Sequence, residues 1–126
     1  MVRVWHDGSV MMRSEAEGAL YLHILQPSQY WSGGKVLSTE EATNVYNAQL
    51  DAVRWIPEGY RRMLALDGDL LDANPAFRNV RDSAFRDTCC HPTDVGYELL
   101  ADFVTREIAA RIAAAQTRAP APGPKN

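Results

Sequence analysis

The chain has 126 residues, a formal net charge of −3 and 46% hydrophobic residues, which is one ordinary domain with enough apolar material for a single core. The mild acidity excludes the basic footprint that nucleic acid or an anionic membrane demands. No apolar run approaches the roughly 20 residues that span a bilayer.

In chain order, the opening stretch MVRVWHDGSVMM lacks the basic, apolar and small-residue succession of a signal peptide; an upstream signal, and with it the compartment, stays open. From Ser9 to Ala19 the spacing of Val10, Met11, Ala16 and Ala19 predicts a short amphipathic helix closing near Gly18. ALYLHILQ, Ala19 to Gln26, is almost continuously apolar and predicts a strand covered on both faces, as in a parallel sheet. Ser38-Thr39-Glu40-Glu41 matches a capping box, in which Ser38 caps and Glu41 reaches back. A helix is expected from Thr39 to about Trp55, restarted or kinked at Pro57 and running on to about Leu66. DLLDANPAFRNV holds a turn at Asn74-Pro75 and then a short strand at Phe77 to Val80.

The last helix is the clearest element. Thr93 is the expected N-cap, with Asp94 in the first turn where a negative charge complements the helix dipole. Val95, Leu99, Leu100, Phe103, Val104, Ile108 and Ile112 mark one face at helical spacing. The Pro/Ala/Gly-biased end, TRAPAPGPKN, cannot bury a core and reads as a disordered tail. The division is therefore a domain over 1–116 and a tail over 117–126. The alternation of helix and strand reads as part of an α/β fold.

The chemistry concentrates before the last helix. In DTCCH, Asp87 precedes His91 by about one helical turn. Histidine is the usual general base near neutral pH, since its unperturbed pKa is about 6.5. It serves a hydroxyl nucleophile when a carboxylate on its other ring nitrogen fixes the tautomer and stabilises the imidazolium that forms. The bland alternative for such a pair is a surface hydrogen bond or a helix cap. Cys89 and Cys90 are adjacent. A disulfide between neighbours strains the peptide that joins them, so both are expected reduced, or one has a partner outside the chain. Adjacent Cys89, Cys90 and His91 rarely converge on one tetrahedral ion, so no metal is expected, and no other cofactor is. His23 reads as a satisfied core histidine.

The block DTCCHPTDVGYELLADFV resembles the C-terminal block of the SGNH (GDSL-type) ester hydrolases, where an Asp and a His precede a Gly and then a Leu-Ala pair on the final helix. Here these positions are Asp87, His91, Gly96, Leu100 and Ala101. GALYLHILQPSQYWSGGKVLSTEEA is similar to the late strand and following loop of a bacterial subgroup of these hydrolases. The resemblance runs from about Trp5 to Ile112 and covers only the later portion of the family domain. It implies the C-terminal part of a three-layer α/β/α, flavodoxin-like domain with parallel strands. It implies a Ser-His-Asp mechanism acting on esters, with His91 as general base and Asp87 as its orienter.

Two departures from the family pattern stand out. The Gly-Asp-Ser nucleophile block and the Gly and Asn blocks of the oxyanion hole are not recognisable in the chain. Asp7-Gly8-Ser9 has the wrong order and no strand before it, so Ser9 reads as a solvated helix start. The usual spacing is Asp-x-x-His, whereas Thr88 stands in the expected place here and Asp87 lies one residue earlier; a bulged turn would absorb the extra residue.

Gln26, Gln29, Tyr30 and Trp31 follow the carboxyl end of the predicted strand, the edge at which open α/β sheets bind ligands. Gln29, Tyr30 and Trp31 are the candidate substrate-binding residues, against the alternative that they only cover the sheet end. The functional expectation is a fragment of a carboxylesterase, lipase or deacetylase type, with a small-molecule, lipid or sugar ester as substrate. By itself the chain is expected to be catalytically incomplete: a truncated hydrolase or one chain of a split enzyme. The alternative is a non-catalytic remnant or interaction module that keeps the scaffold. The predicted strand would then lack a neighbour, and self-association through its exposed edge or pairing with a missing N-terminal half is expected.

Overall fold

The computed structural model of the chain describes residues 21–118. The predicted helix at Ser9 to Ala19, Ser9 itself, the first two residues of the predicted strand and residues 119–126 lie outside the described residues.

The frame is a small parallel β-α-β unit. Strand β1 is Ile24–Leu25 and strand β2 is Leu71–Asp72. They pair in parallel, with Ile24 opposite Leu71 and Leu25 opposite Asp72. Leu71 N donates to His23 O at 2.9 Å, and Ala73 N donates to Leu25 O at 3.1 Å. A parallel pair needs a long crossover, and two helices supply it: α1, Thr39–Asn44, and α2, Ala52–Leu66. The long helix α3, Asp94–Arg118, follows. The described chain is thus mixed helix with a two-stranded parallel sheet, α/β in the loose sense. Among the described residues no helix is long and apolar enough to cross a membrane.

The capping box forms as its sequence predicts. Glu41 N donates to Ser38 Oγ at 3.2 Å, and Ser38 N donates to Glu41 Oε2 at 2.8 Å. The expected run to Trp55 does not form, because the helix breaks at 45–51. Val45 is drawn into the core, and the Asn47 carbonyl oxygen of its side chain takes the Gln49 N–H at 3.0 Å, the local bond by which Asn competes with helix. Pro57 then sits inside α2 without ending it. Its cost is the single hydrogen bond to the Val53 carbonyl, offset by burial of Ile56 beside it.

The expected strand at Phe77 to Val80 is likewise absent. A 3-10 turn, Asn74–Phe77, has Pro75 at its start, just after Asn74, and Val80 N continues the turn by donating to Phe77 O at 3.1 Å. Asp72 Oδ1 starts it by accepting from both the backbone N (2.9 Å) and the side chain (2.7 Å) of Asn74. Asn74 is buried and its Oδ1 accepts from Ser28 N at 3.1 Å, so one amide joins the ends of both strands.

This turn delivers Phe77 to the core, which consists of Val45, Phe77, Ala84 and Phe85 with Leu37, Ala76, Val80, Leu99 and Leu100 packed around them. The Phe77 and Phe85 rings meet edge to face, 5.4 Å apart, the arrangement their quadrupoles favour. Helix α3 begins as predicted: Gly96 N donates to Thr93 Oγ1 at 3.1 Å. Its apolar face is divided. Leu99, Leu100, Phe103 and Val104 are half-buried, whereas Val95 in the first turn is exposed, as are Ile108 and Ile112, where the helix extends past the core it packs on. It also continues through Thr117 and Arg118, two residues into the segment read as tail.

Candidate active site

Ala84 to Thr93 is a hairpin-like loop that feeds α3. Its base is closed by an antiparallel bridge between Phe85 and Pro92. Arg86 N donates to His91 O at 2.8 Å and Thr93 N to Ala84 O at 2.9 Å. At the tip, His91 Nδ1 lies 2.6 Å from Asp87 Oδ2. The other carboxylate oxygen, Oδ1, accepts backbone N–H groups from Cys89 at 2.9 Å, Cys90 at 3.2 Å and His91 at 3.4 Å. The imidazole, first, and these backbone donors hold the Asp87 carboxyl well below the usual carboxylate range, since each favours the charged form.

Within the turn from Asp87 to His91 the backbone at Cys90 takes a φ of 150°. Thr88 contributes its carbonyl to Tyr30. Both members of the pair face solvent in part: the side chain of His91 is 59% exposed and that of Asp87 43%. With Nδ1–H donated to a carboxylate, Nε2 carries the lone pair. The arrangement can therefore take a proton on Nε2 and stabilise the cation that results.

The loop after β1 grips this hairpin. Gln29 Nε2 donates to Asp87 O at 2.9 Å and to Val45 O at 3.3 Å. Tyr30 Oη donates to Thr88 O at 2.8 Å, and Gln26 Nε2 donates to Cys90 O at 2.8 Å. Gln29 and Tyr30 are buried, and the Gln29 Nε2 and Tyr30 Oη donors are spent on backbone carbonyls. Burial pushes the Tyr30 hydroxyl up. Gln29 Oε1 is buried without a hydrogen-bond partner among the described residues. Trp31 is half-buried, its ring 5.7 Å from that of Tyr60, and Tyr60 Oη donates to Gln26 O at 2.7 Å. His23 is half-buried with its ring against Tyr21.

The residue that sequence reasoning placed only as a helix cap is Glu41. Its side chain and that of Lys35 are fully buried, with Lys35 Nζ 2.7 Å from Glu41 Oε2. Its Oε1 accepts from Ala84 N at 2.7 Å and Phe85 N at 3.1 Å. Burial works to raise this carboxyl, and Lys35 with the backbone donors of Ser38, Ala84 and Phe85 outweighs it, leaving the group below its ordinary value. The capping box announced its bond to the Ser38 N–H. Nothing local announced its bonds to residues more than 40 positions away.

On the other side of the hairpin, a Cβ at Gly96 would overlap the Ala84 carbonyl oxygen, which is the physical reason for glycine there. Two grooves, of about 510 and 340 Å³, lie near Arg78 and Arg81 and near Asn44 and Ser83; neither is lined by Asp87 or His91. Among the described residues no group of three or more His, Cys, Asp or Glu side chains is placed to hold a metal ion. Compared with known proteins, the chain matches no family model, no curated sequence and no solved structure.

Proposed function

We propose that the chain supplies the base-and-orienter half of a Ser-His-Asp ester hydrolase, with His91 as general base and Asp87 as the group that holds it. The observation that carries this reading is the 2.6 Å contact between His91 Nδ1 and Asp87 Oδ2. It is supported by the loop's attachment on both sides, because a base is useful only if its ring is held where the proton arrives. Gln29 and Tyr30 serve by holding the loop from the carboxyl end of β1, and Trp31, half-buried beside it, walls the substrate side. The β1–β2 unit is then the later part of a three-layer α/β/α sandwich. The Gly-Asp-Ser nucleophile block is not among the 126 residues, so a hydroxyl and oxyanion donors must come from elsewhere.

The test has two arms. In the first, the chain is treated with a fluorophosphonate and analysed by mass spectrometry; no serine is labelled. Stoichiometric labelling of a serine in this chain would overturn the incomplete-site reading. In the second, the chain is combined with a polypeptide that carries a Gly-Asp-Ser nucleophile block, either encoded in frame upstream of Met1 or made as a separate chain, and turnover of an aryl acetate is followed. His91→Ala lowers kcat by roughly 10²–10⁴-fold, the usual contribution of a positioned base, and Asp87→Asn lowers it less. Full turnover in His91→Ala would defeat the proposal.

A further inference from the structure

Cys89 and Cys90 are left unused by the acyl-transfer reading. Both are free, and their sulfurs lie 3.6 Å apart. In extended backbone, successive side chains point to opposite faces. Here the φ of 150° at Cys90, a conformation that residues with a side chain rarely adopt, brings the two thiols together. The surroundings impose it: Gln26 Nε2 holds the Cys90 carbonyl, and Asp87 Oδ1 holds the Cys89 and Cys90 N–H groups.

We propose that Cys89 and Cys90 are a reversible dithiol–disulfide site, oxidised by small disulfides to a ring closed across their shared peptide. Cys89, the exposed thiol, attacks first as its thiolate. It bonds to one sulfur of the oxidant, whose S–S bond breaks and releases a thiolate. Cys90 then attacks the Cys89 sulfur, expels the second thiolate and gives up its proton to it. The protein loses two hydrogens, and the oxidant is reduced to two thiols. Burial, then the hydrogen bond with Cys89, pushes the Cys90 thiol up to about 11, so little of it is thiolate and its attack relies on the contact already made between the two sulfurs. Adjacent Cα atoms are ~3.8 Å apart across a trans peptide, short of the usual ~4.4–6.8 Å span of a disulfide. The ring is therefore strained and easily reduced, as befits a labile site rather than a structural cross-link.

Closure has a consequence one residue away. The N–H groups of Cys89, Cys90 and His91 all donate to Asp87 Oδ1, and that of Cys90 belongs to the peptide it shares with Cys89. Turning that peptide to close the ring withdraws the Cys90 N–H, and the hold of Asp87 on His91 loosens. Ring formation needs no serine nucleophile and stands apart from the hydrolase reading.

The experiment exposes the whole chain to buffers of graded oxidised and reduced glutathione. Intact mass, non-reducing electrophoresis and amide and imidazole NMR signals are then read. The expected product is monomeric, two hydrogens lighter and free of adduct, and dithiothreitol reverses it fully. Cys89→Ser and Cys90→Ser each stop at a single stable glutathione adduct. The amide signals of residues 89–91 and the His91 ring proton shift on oxidation and return on reduction. A doubly adducted wild type, an interchain dimer, or a dithiol that survives the most oxidising buffer overturns the site. A closed ring that leaves the His91 signals unmoved overturns its coupling to Asp87.

Discussion

Replacing Glu41 by Gln keeps the volume of a fully buried side chain and removes its charge. In the native chain the two carboxylate oxygens take four donors: Ala84 N and Phe85 N on one, Ser38 N and Lys35 Nζ on the other. An amide has one acceptor oxygen. In either orientation its NH2 faces two donors, and the buried Lys35 ammonium loses its counter-charge. Breaking a buried pair by removing one partner costs about 3–5 kcal/mol. That is a large share of the roughly 5–15 kcal/mol that holds a domain folded. At roughly 3–5 °C of Tm per kcal/mol for a chain between about 100 and 150 residues, Glu41→Gln melts roughly 9–25 °C below wild type. Urea unfolding followed by circular dichroism measures the loss directly.

A second variant, Lys35→Met with Glu41→Gln, removes the orphaned charge while the crowded backbone donors remain. It recovers only part of the loss if Glu41 acts as the acceptor that anchors Ala84 and Phe85. A single variant within ~0.5 kcal/mol of wild type, the ordinary range for inconsequential surface changes, would refute the assignment of Glu41 as the anchor of the hairpin. Complete recovery in the double variant would refute the part played by its backbone bonds.

Gly96→Ala forces a methyl group onto the Ala84 carbonyl and costs about 1–3 kcal/mol, the usual range for overpacking; chemical denaturation that finds it neutral would mean α3 shifts freely. The low Asp87 carboxyl carries a pH signature. Its folded value lies below the unfolded one of about 3.9, so its contribution is complete above that value and is lost as pH falls through the folded value. Thermal melting of Asp87→Asn should therefore show a shallower acid decline than wild type below about pH 4, and superimposable acid limbs would show that the pair does not stabilise the fold.

What the sequence determined by itself is what short-range physics controls. The Ser38/Glu41 box and the Thr93 cap each join groups three residues apart, and the contact between Asp87 and His91 spans four. Caps and turns of this reach depend on the chain immediately around them, so residue type and spacing suffice. The beginning of α3 was legible for the same reason, and a parallel strand near Ile24 was legible from the continuous apolar run around it. The tertiary structure decided the rest. It broke the helix after Asn44, because Val45 is needed in the core beside Phe77 and Phe85. It made Phe77 the last residue of a 3-10 segment and Arg78 to Val80 a turn after it, for the same core. It buried Gln29 and Tyr30 against a loop 58 residues further on, and it made a helix cap, Glu41, into the anchor of that loop. Such partners are chosen by packing and by the need to satisfy every buried donor. Neither requirement leaves a periodic mark in the sequence, because the groups that meet it are brought together only when the chain has folded.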